Sequence, residues 1–211
     1  VGLVSGVCFS DVGNVVYCVD KDKKKIDLLN KGIVPIYEPG LEEILKRNHK
    51  AKRLFFTSDL NEAVKKSDII FICVGTPTKK KGNSADLKHV FNVAKQLKKS
   101  ISKYKIIITK STVPVTTGDK IEKILRNLKK KKLIDVVSNP EFLREGSAIN
   151  DFMRPDRVVI GTENKKSENI MKELYRPLYL RETPLVSTSI ETSEIIKYAS
   201  NSFLATKIGF I

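Results

Sequence analysis

Val1–Asp20 reads VGLVSGVCFSDVGNVVYCVD, which we interpret as a helix, a tight turn and a strand. The turn contains Gly13, which stands where a helix needs a left-handed residue after its last turn. The run Val15–Asp20 is apolar, has the length of a strand and ends on a carboxylate. A helix that leads directly into such a strand is the second half of a dinucleotide-binding βαβ unit. We therefore expect the first strand of that unit to be missing from this sequence.

Further apolar runs of strand length recur along the chain, with amphipathic stretches between them. They are Leu54–Thr57, Asp68–Val74, Lys105–Lys110, Asp135–Ser138, Arg157–Gly161 and Leu185–Thr188. Most are continuously apolar, which is typical of parallel strands buried on both faces. Stretches such as Leu41–Lys46 and Ile121–Leu128 have the pattern of crossover helices, and Ser58 is expected to cap another helix. The prediction is an α/β fold with a Rossmann-like doubly wound parallel sheet whose first strand is missing.

From Ser189 the pattern changes to one long helical stretch without a further strand. We place a domain boundary there. Residues 1–188 are predicted to form an N-terminally truncated dinucleotide-binding domain, and residues 189–211 the start of a long central helix and dimerisation domain.

The charge of the chain raises the possibility of a nucleic-acid partner. The 211 residues contain 39 Lys and Arg against 24 Asp and Glu, a net charge of +15, and polyanion binding is driven by neutralising phosphates. The lysines cluster at the edges of elements, for example at Lys23–Lys25 and Lys129–Lys132, without the interleaved aromatic residues of a stacking platform. We expect a solvated basic surface and no nucleic-acid partner.

The cysteines and the apolar runs indicate which other classes of protein can be excluded. Cys8, Cys18 and Cys73 have neither the close pairing of a metal site nor the density of a disulfide framework, so we expect reduced thiols and no metal. The longest apolar runs, such as Ile69–Val74, are far shorter than the roughly 18 to 20 residues that span a bilayer. We therefore expect a cytoplasmic protein without a membrane partner.

Candidate dinucleotide-binding residues lie at the ends of the predicted strands. Gly2 fits the third glycine of a G-x-G-x-x-G fingerprint, and Asp20 then falls where a carboxylate accepts hydrogen bonds from the ribose. Lys25 is placed to reach the same ribose. The alternatives are a tight helix-to-strand contact for Gly2, a helix cap for Asp20 and simple solvation for Lys25.

The loop Val74-Gly75-Thr76-Pro77 closes the run Asp68–Val74. Its glycine permits close backbone approach, and its threonine offers a hydroxyl to a cofactor. The alternative is an ordinary turn at the end of a strand.

Five segments together resemble the UDP-glucose/GDP-mannose dehydrogenase family. They are Ile33–Leu41 (IVPIYEPGL), the loop with Gly75-Thr76-Pro77, Lys110–Pro114 (KSTVP), Ser138–Gly146 (SNPEFLREG) and Lys197–Asn201 (KYASN). The resemblance covers essentially the whole chain, and the PEFLREG version is most similar to the UDP-glucose members. It implies NAD as the cofactor and the oxidation of a sugar primary alcohol to a carboxylate in two hydride transfers.

The resemblance also implies catalytic roles. Glu141 resembles a carboxylate that manages protons and water, and Thr112 a hydroxyl that contacts the cofactor and a catalytic water. Lys197 and Asn201, spaced i, i+4 on one helix face, resemble the cation and amide that stabilise negative charge on the reacting oxygen. On the residues alone, the alternatives are an exposed loop acid for Glu141 and a solvated helix face for the Lys197–Asn201 pair.

Cofactor and substrate contacts are implied for the residues that follow Glu141. Glu145, expected one helical turn beyond Glu141, resembles a residue near the nicotinamide. Phe142, Leu143 and Arg144 would contact the sugar nucleotide.

The family's nucleophilic cysteine, which carries a thioester, lies in a later Gly-rich segment, and no cysteine of this chain matches it. The first hypothesis is thus one half of a UDP-glucose-oxidising enzyme, a homodimer when complete, with UDP-N-acetylmannosamine or GDP-mannose as alternative substrates. The second is a non-catalytic dinucleotide-binding module, and the third is a basic nucleic-acid binder.

Overall fold

The computed structural model describes residues 1–79, 82, 84–179 and 184–211. Seven strands and ten helices follow one another along this part of the chain. In order they are α1 (Gly2–Asp11), β1 (Val16–Val19), α2 (Lys23–Asn30), α3 (Leu41–Lys50), β2 (Leu54–Thr57), α4 (Leu60–Lys66), β3 (Ile69–Ile72), α5 (Lys88–Ser100), β4 (Lys105–Thr109), α6 (Thr117–Ile124), α7 (Arg126–Lys130), β5 (Ile134–Ser138), α8 (Ala148–Met153), β6 (Val158–Gly161), α9 (Lys165–Tyr179), β7 (Leu185–Thr188) and α10 (Ile190–Phe210). Among these described helices, none combines the length and the apolar character needed to cross a bilayer.

The chain divides into two compact units, and the first contains Val1–Asp68 and Phe142–Asp156. Its strands β1 and β2 pair in parallel, with Val16 opposite Leu54. Helix α1 is buried over most of its length. A Cβ atom on its Gly6 would lie only 2.5 Å from the Sγ atom of Cys18 on β1. The absence of a side chain at Gly6 therefore lets α1 pack closely on β1.

The second unit contains Ile69–Glu141, Arg157–Arg176 and Pro184–Ile211. Its sheet has the order β3-β4-β5-β6-β7. Strand β4 lies between β3 and β5 and pairs in parallel with both. Its residues Ile106, Ile107 and Ile108 are at most 1% exposed. The apolar run therefore marks a strand buried on both faces, as predicted.

The predicted α/β fold with a parallel, Rossmann-like arrangement is confirmed, and two local predictions are corrected. Strand β6 pairs with β5 in the antiparallel sense through Ser138 and Gly161, although β6 and β7 are parallel. Helix α4 is capped by Asp59 and not by Ser58, because the Asp59 carboxylate accepts hydrogen bonds from the amides of Asn61 and Glu62 at 2.8 and 3.0 Å. Ser58 lies one residue too early for this geometry.

Candidate active site

Asp20 directly follows β1 in the first unit and is part of the predicted ribose corner. Its carboxylate binds the Nζ atom of Lys25 at 2.7 Å and accepts a hydrogen bond from the Asp22 amide. Partial burial raises the pKa of Asp20, but these hydrogen bonds outweigh burial and hold the pKa below its usual value. The cap of α2 is Asp22, whose side chain accepts from the Lys25 amide. Asp20 is therefore an ionised, partly exposed acceptor and not the helix cap.

The first turn of α1 has the features of an anion site. No side chain caps this turn, and it contains no acidic residue. Amides at the start of a helix lack intrahelical partners, and with the helix dipole they attract phosphate groups. Gly2, the predicted fingerprint glycine, is the first residue of this helix.

The loops that follow β3 and β4 in the second unit are joined by two hydroxyl groups. Thr76 Oγ1 donates to the carbonyl of Thr112 at 2.8 Å, and Ser111 Oγ donates to the carbonyl of Val74 at 2.6 Å. The structure thus brings together the predicted loop Val74–Pro77 and Thr112. The Thr76 proton is used within the protein, and its oxygen can still accept a hydrogen bond. A Cβ atom on Gly75 would meet nothing within 4 Å, so this backbone faces open space.

Glu141 and Lys197 form a largely buried ion pair in the second unit. The Nζ atom of Lys197 lies 3.6 Å from Oε1 of Glu141, and the side chains are 10% and 12% exposed. Glu141 is therefore no exposed loop acid. Both residues of the i, i+4 pair lie on α10 as predicted, but only Lys197 is buried, whereas Asn201 is exposed. At such low exposure, the charges of the pair interact more strongly than they would in water.

A second buried polar cluster, which the sequence analysis missed, consists of Lys110, Asn139 and Tyr175. Lys110 Nζ donates to Asn139 Oδ1 at 3.2 Å and to the Tyr175 hydroxyl at 3.4 Å, and that hydroxyl donates to Asn139 Oδ1 at 2.6 Å. All three residues are at most 4% exposed. Burial lowers the pKa of Lys110 to about 8, although the nearby Glu141 carboxylate opposes this shift. The sequence signal that could have identified this cluster is a lysine at the end of an apolar strand.

Glu194, one turn before Lys197 on α10, is also buried and was missed. Its Oε1 atom accepts a hydrogen bond from the Gly118 amide at 2.8 Å, at the start of α6. Burial raises the pKa of Glu194 to about 7, and hydrogen bonds from the backbone at Gly118 and its neighbours only partly offset it. Within the described residues, the Oε2 atom has no hydrogen-bond partner. The helix that carries Lys197 is thereby attached to the helix that follows the Thr112 loop.

The predicted substrate residues Phe142–Arg144 and the predicted cofactor residue Glu145 lie in the first unit. The expectation that Glu145 stands one helical turn beyond Glu141 is wrong, because residues 141–147 form a loop and turn, and α8 begins at Ala148. Gly146, at φ +81°, has a left-handed conformation that interrupts a right-handed helix.

Phe142 and Leu143 are half-buried, and Glu145 is exposed. The Arg144 guanidinium donates to both carboxylate oxygens of Asp151, at 3.1 and 2.7 Å, and its side chain remains 76% exposed. Arg144 is thus accessible to an anion but already has a carboxylate partner.

The cysteines have the properties of structural thiols. Burial raises the pKa of Cys8 to about 12 and that of Cys73 to about 11. Because the thiolate is the nucleophile, both groups are unreactive at neutral pH. The Sγ atom of Cys18 lies against Gly6, as described above.

Comparison with known proteins agrees with this fold. Residues 1–179 match the UDP-glucose/GDP-mannose dehydrogenase family, NAD binding domain. The chain is 53% identical over 213 residues to UDP-glucose 6-dehydrogenase of Rhizobium meliloti (strain 1021), which covers 100% of this chain and 49% of that protein. The chain spans about half the length of the curated relatives it matches.

Two solved structures share the fold. One is a ternary complex of GDP-mannose dehydrogenase from Pseudomonas aeruginosa, with a TM-score of 0.94 and 38% identity over 100% of this chain and 49% of that chain. The other is a UDP-glucose dehydrogenase from Pyrobaculum islandicum, with a TM-score of 0.93 and 38% identity over 99% of this chain and 48% of that chain.

Proposed function

Since the chain belongs to the UDP-glucose/GDP-mannose dehydrogenase family, we propose that it is the NAD-binding half of an enzyme that oxidises UDP-glucose to UDP-glucuronate. The oxidation takes two successive hydride transfers through a thioester on a cysteine outside this chain. The buried Glu141–Lys197 pair carries the proposal. A carboxylate and an ammonium held together away from water supply a proton acceptor and a stabiliser of negative charge.

The residues of the first unit fit NAD, which would supply the hydride acceptor when bound. The ionised Asp20 accepts hydrogen bonds from the adenosine ribose, with Lys25 beside it. The uncapped first turn of α1, which begins at Gly2, binds the pyrophosphate.

The residues of the second unit fit the same cofactor. The open backbone of the Val74–Pro77 loop, joined to Thr112, suits close approach of a flat ring. We assign Glu145 of the first unit to the nicotinamide end on the resemblance alone.

Each catalytic side chain has a defined task in this proposal. Lys197 stabilises the negative charge that develops on the reacting oxygen, and Asn201 adds an amide donor one turn further along α10. Glu141 takes and returns protons to water, and the Thr112 hydroxyl orients that water. Burial of Lys197 and Glu141 strengthens the effect of both charges.

Phe142, Leu143 and Arg144 contact the sugar nucleotide. The exposed guanidinium of Arg144, held by Asp151, suits a diphosphate. We propose UDP-glucose as the substrate, and not UDP-N-acetylmannosamine or GDP-mannose, because Pro140–Gly146 is most similar to the UDP-glucose members of the family.

We also propose that the complete protein is a homodimer formed through α10. Residues 201–210 of this helix are exposed along their whole length, including Phe203 at 68%, Leu204 at 57% and Ile208 at 68%. The proposal rests on the resemblance to the family, which makes α10 the start of a central helix and dimerisation domain. Sedimentation velocity of the complete protein tests the assignment, and a monomer would refute it.

A cytoplasmic location stays a prediction.

The test of the function is to supply the complete protein with NAD and each of the three nucleotide sugars. We expect NADH from UDP-glucose, with two NADH formed per UDP-glucuronate and a higher kcat/KM than for the other two sugars. A higher kcat/KM for GDP-mannose or UDP-N-acetylmannosamine would correct the substrate. Binding of NAD without turnover of any sugar would favour the dinucleotide-binding module. The chain by itself is expected to make no UDP-glucuronate, because the nucleophile lies outside it.

A further inference from the structure

Glu38 is a buried carboxylate that the proposed chemistry does not use. It lies in the segment Ile33–Leu41, where its neighbour Tyr37 is 89% exposed and Glu38 itself only 9%. A charged side chain that is buried beside an exposed aromatic one needs hydrogen-bond partners that compensate for its loss of contact with water.

Those partners are three backbone amides more than one hundred residues away in sequence. Oε2 of Glu38 accepts from the Gly146 amide at 2.9 Å, and Oε1 accepts from the amides of Ala148 and Ile149 at 2.8 and 3.4 Å. Ser147, the N-cap residue of α8, makes no capping hydrogen bond with its side chain. Glu38 therefore satisfies amides that the local sequence leaves open.

The contact with Gly146 shows that Glu38 does more than cap a helix. Gly146 precedes α8 and has the left-handed conformation that turns the chain out of the Phe142–Glu145 segment. A hydrogen bond to its amide fixes the orientation of that peptide plane. The Arg144 amide and guanidinium also bond to Asp151 of α8. The segment is thus held by contacts with both Glu38 and Asp151.

We propose that Glu38 is a positioning residue that fixes the Phe142–Ser147 segment for binding of the nucleotide sugar. The inference rests on the proposed function for the identity of the ligand, but the contacts of Glu38 stand independently of it. Glu38 touches no substrate atom in this proposal. It acts by holding the backbone from which Phe142, Leu143 and Arg144 project.

The test is Glu38→Gln in the complete protein. The amide keeps the shape and one acceptor oxygen but turns an NH₂ group toward a backbone N–H and removes the charge. We expect the KM for UDP-glucose to rise about tenfold, since hydrogen bonds to a charged group are lost. The KM for NAD should rise less than the KM for UDP-glucose, because Asp20 keeps its own contacts with Lys25 and Asp22 and only Glu145 of the proposed cofactor residues lies on this segment.

The matched control is Asp59→Ala, which removes a carboxylate that caps α4 in the same unit. Both variants should lower Tm by a few degrees, but Asp59→Ala should leave the KM for UDP-glucose unchanged. If Glu38→Gln lowers Tm and leaves this KM unchanged, Glu38 is a helix cap only and the proposal is overturned.

Gly146→Ala tests the same segment if Glu38→Gln does not fold. A Cβ atom on Gly146 would meet nothing within 4 Å, so this variant opposes only the positive φ of the backbone. It should raise the KM for UDP-glucose in the same way, and an unchanged KM would contradict the proposal.

Hydrogen exchange gives a readout that does not depend on turnover. Without substrate, amides in residues 146–153 should exchange faster in Glu38→Gln than in the unsubstituted protein, whereas the α4 amides should not. Equal exchange in 146–153 overturns the positioning role. If the unsubstituted protein turns over none of the three sugars, the proposed function fails. Hydrogen exchange measured with and without UDP-glucose then tests whether the segment binds a nucleotide sugar. Protection of residues 142–147 by UDP-glucose supports it, and no protection overturns it.

Discussion

Replacing Glu194 by Gln should increase the free energy of unfolding relative to the unsubstituted protein. This gain should be larger at pH 8 than at pH 5. Glu194 is 2% exposed, and its Oε1 atom accepts from the Gly118 amide. Glutamine keeps that acceptor oxygen and removes the charge. The variant therefore resembles the protonated form of Glu194 at every pH.

The magnitude follows from the pKa of Glu194, which burial raises from 4.5 to about 7. Between these values the folded state binds more protons than the unfolded state, so the stability that Glu194 contributes is complete below pH 4.5 and is lost as the pH rises through 7. A shift of this size corresponds to about 3 kcal/mol. From pH 5 to pH 8, the free energy of unfolding of Glu194→Gln should gain about 2 to 3 kcal/mol over that of the unsubstituted protein.

Urea denaturation of the complete protein at the two pH values measures this difference. Glu191→Gln, one turn earlier on the same helix and half-buried, controls for a change in the charge of α10. Exchange of the Gly118 amide adds a local readout at the contact itself. If the difference between Glu194→Gln and the unsubstituted protein is the same at pH 5 and pH 8, the buried carboxylate does not titrate in this range and the reasoning is wrong.

Three further predictions concern the ribose corner and the buried lysines. Asp20→Ala should lower the preference for NAD over NADP, measured as the ratio of kcat/KM values, because the carboxylate repels a 2′-phosphate; an unchanged ratio would contradict its role. Lys197→Ala should lower kcat on the order of 10² to 10³ and change the sugar KM much less; an unchanged kcat would remove Lys197 from catalysis. Burial lowers the pKa of Lys110 from 10.5 to about 8, so between these values the folded state binds fewer protons than the unfolded state. The free energy of unfolding should therefore rise by about 3 kcal/mol from pH 8 to pH 10.5. Urea denaturation across this range should show that rise diminished in Lys110→Met, and equal slopes in the two proteins would show that the pKa of Lys110 is not lowered on folding.

The elements of this fold could be predicted because their signals are local. A strand buried on both faces needs an apolar residue at nearly every position, and Ile106–Ile108 shows this in consecutive residues. Gly13 lies at positive φ, as predicted from its place after a helix. Leu54–Thr57 and Leu185–Thr188 have the predicted bounds.

Competition between neighbouring polar residues could not be settled in the same way. Ser58 and Asp59 are both good helix caps, as Asp20 and Asp22 are both acceptors near the start of α2. The backbone geometry selects Asp59 and Asp22 as caps, which leaves Asp20 available to a ribose. The direction of the β5–β6 pairing likewise depends on strand packing and has no local signature.

The sequence by itself determined the class of fold and, through the matched segments, made Glu141 and Lys197 candidate site residues. Only the tertiary structure decided that these two residues form a buried pair, that Asn201 is exposed, and that Glu38 binds amides beyond Gly146. The physical reason is the range of the interactions. Apolar periodicity and helix caps depend on residues a few positions apart, whereas the burial and hydrogen-bond partners of a polar side chain are supplied by residues distant in the chain.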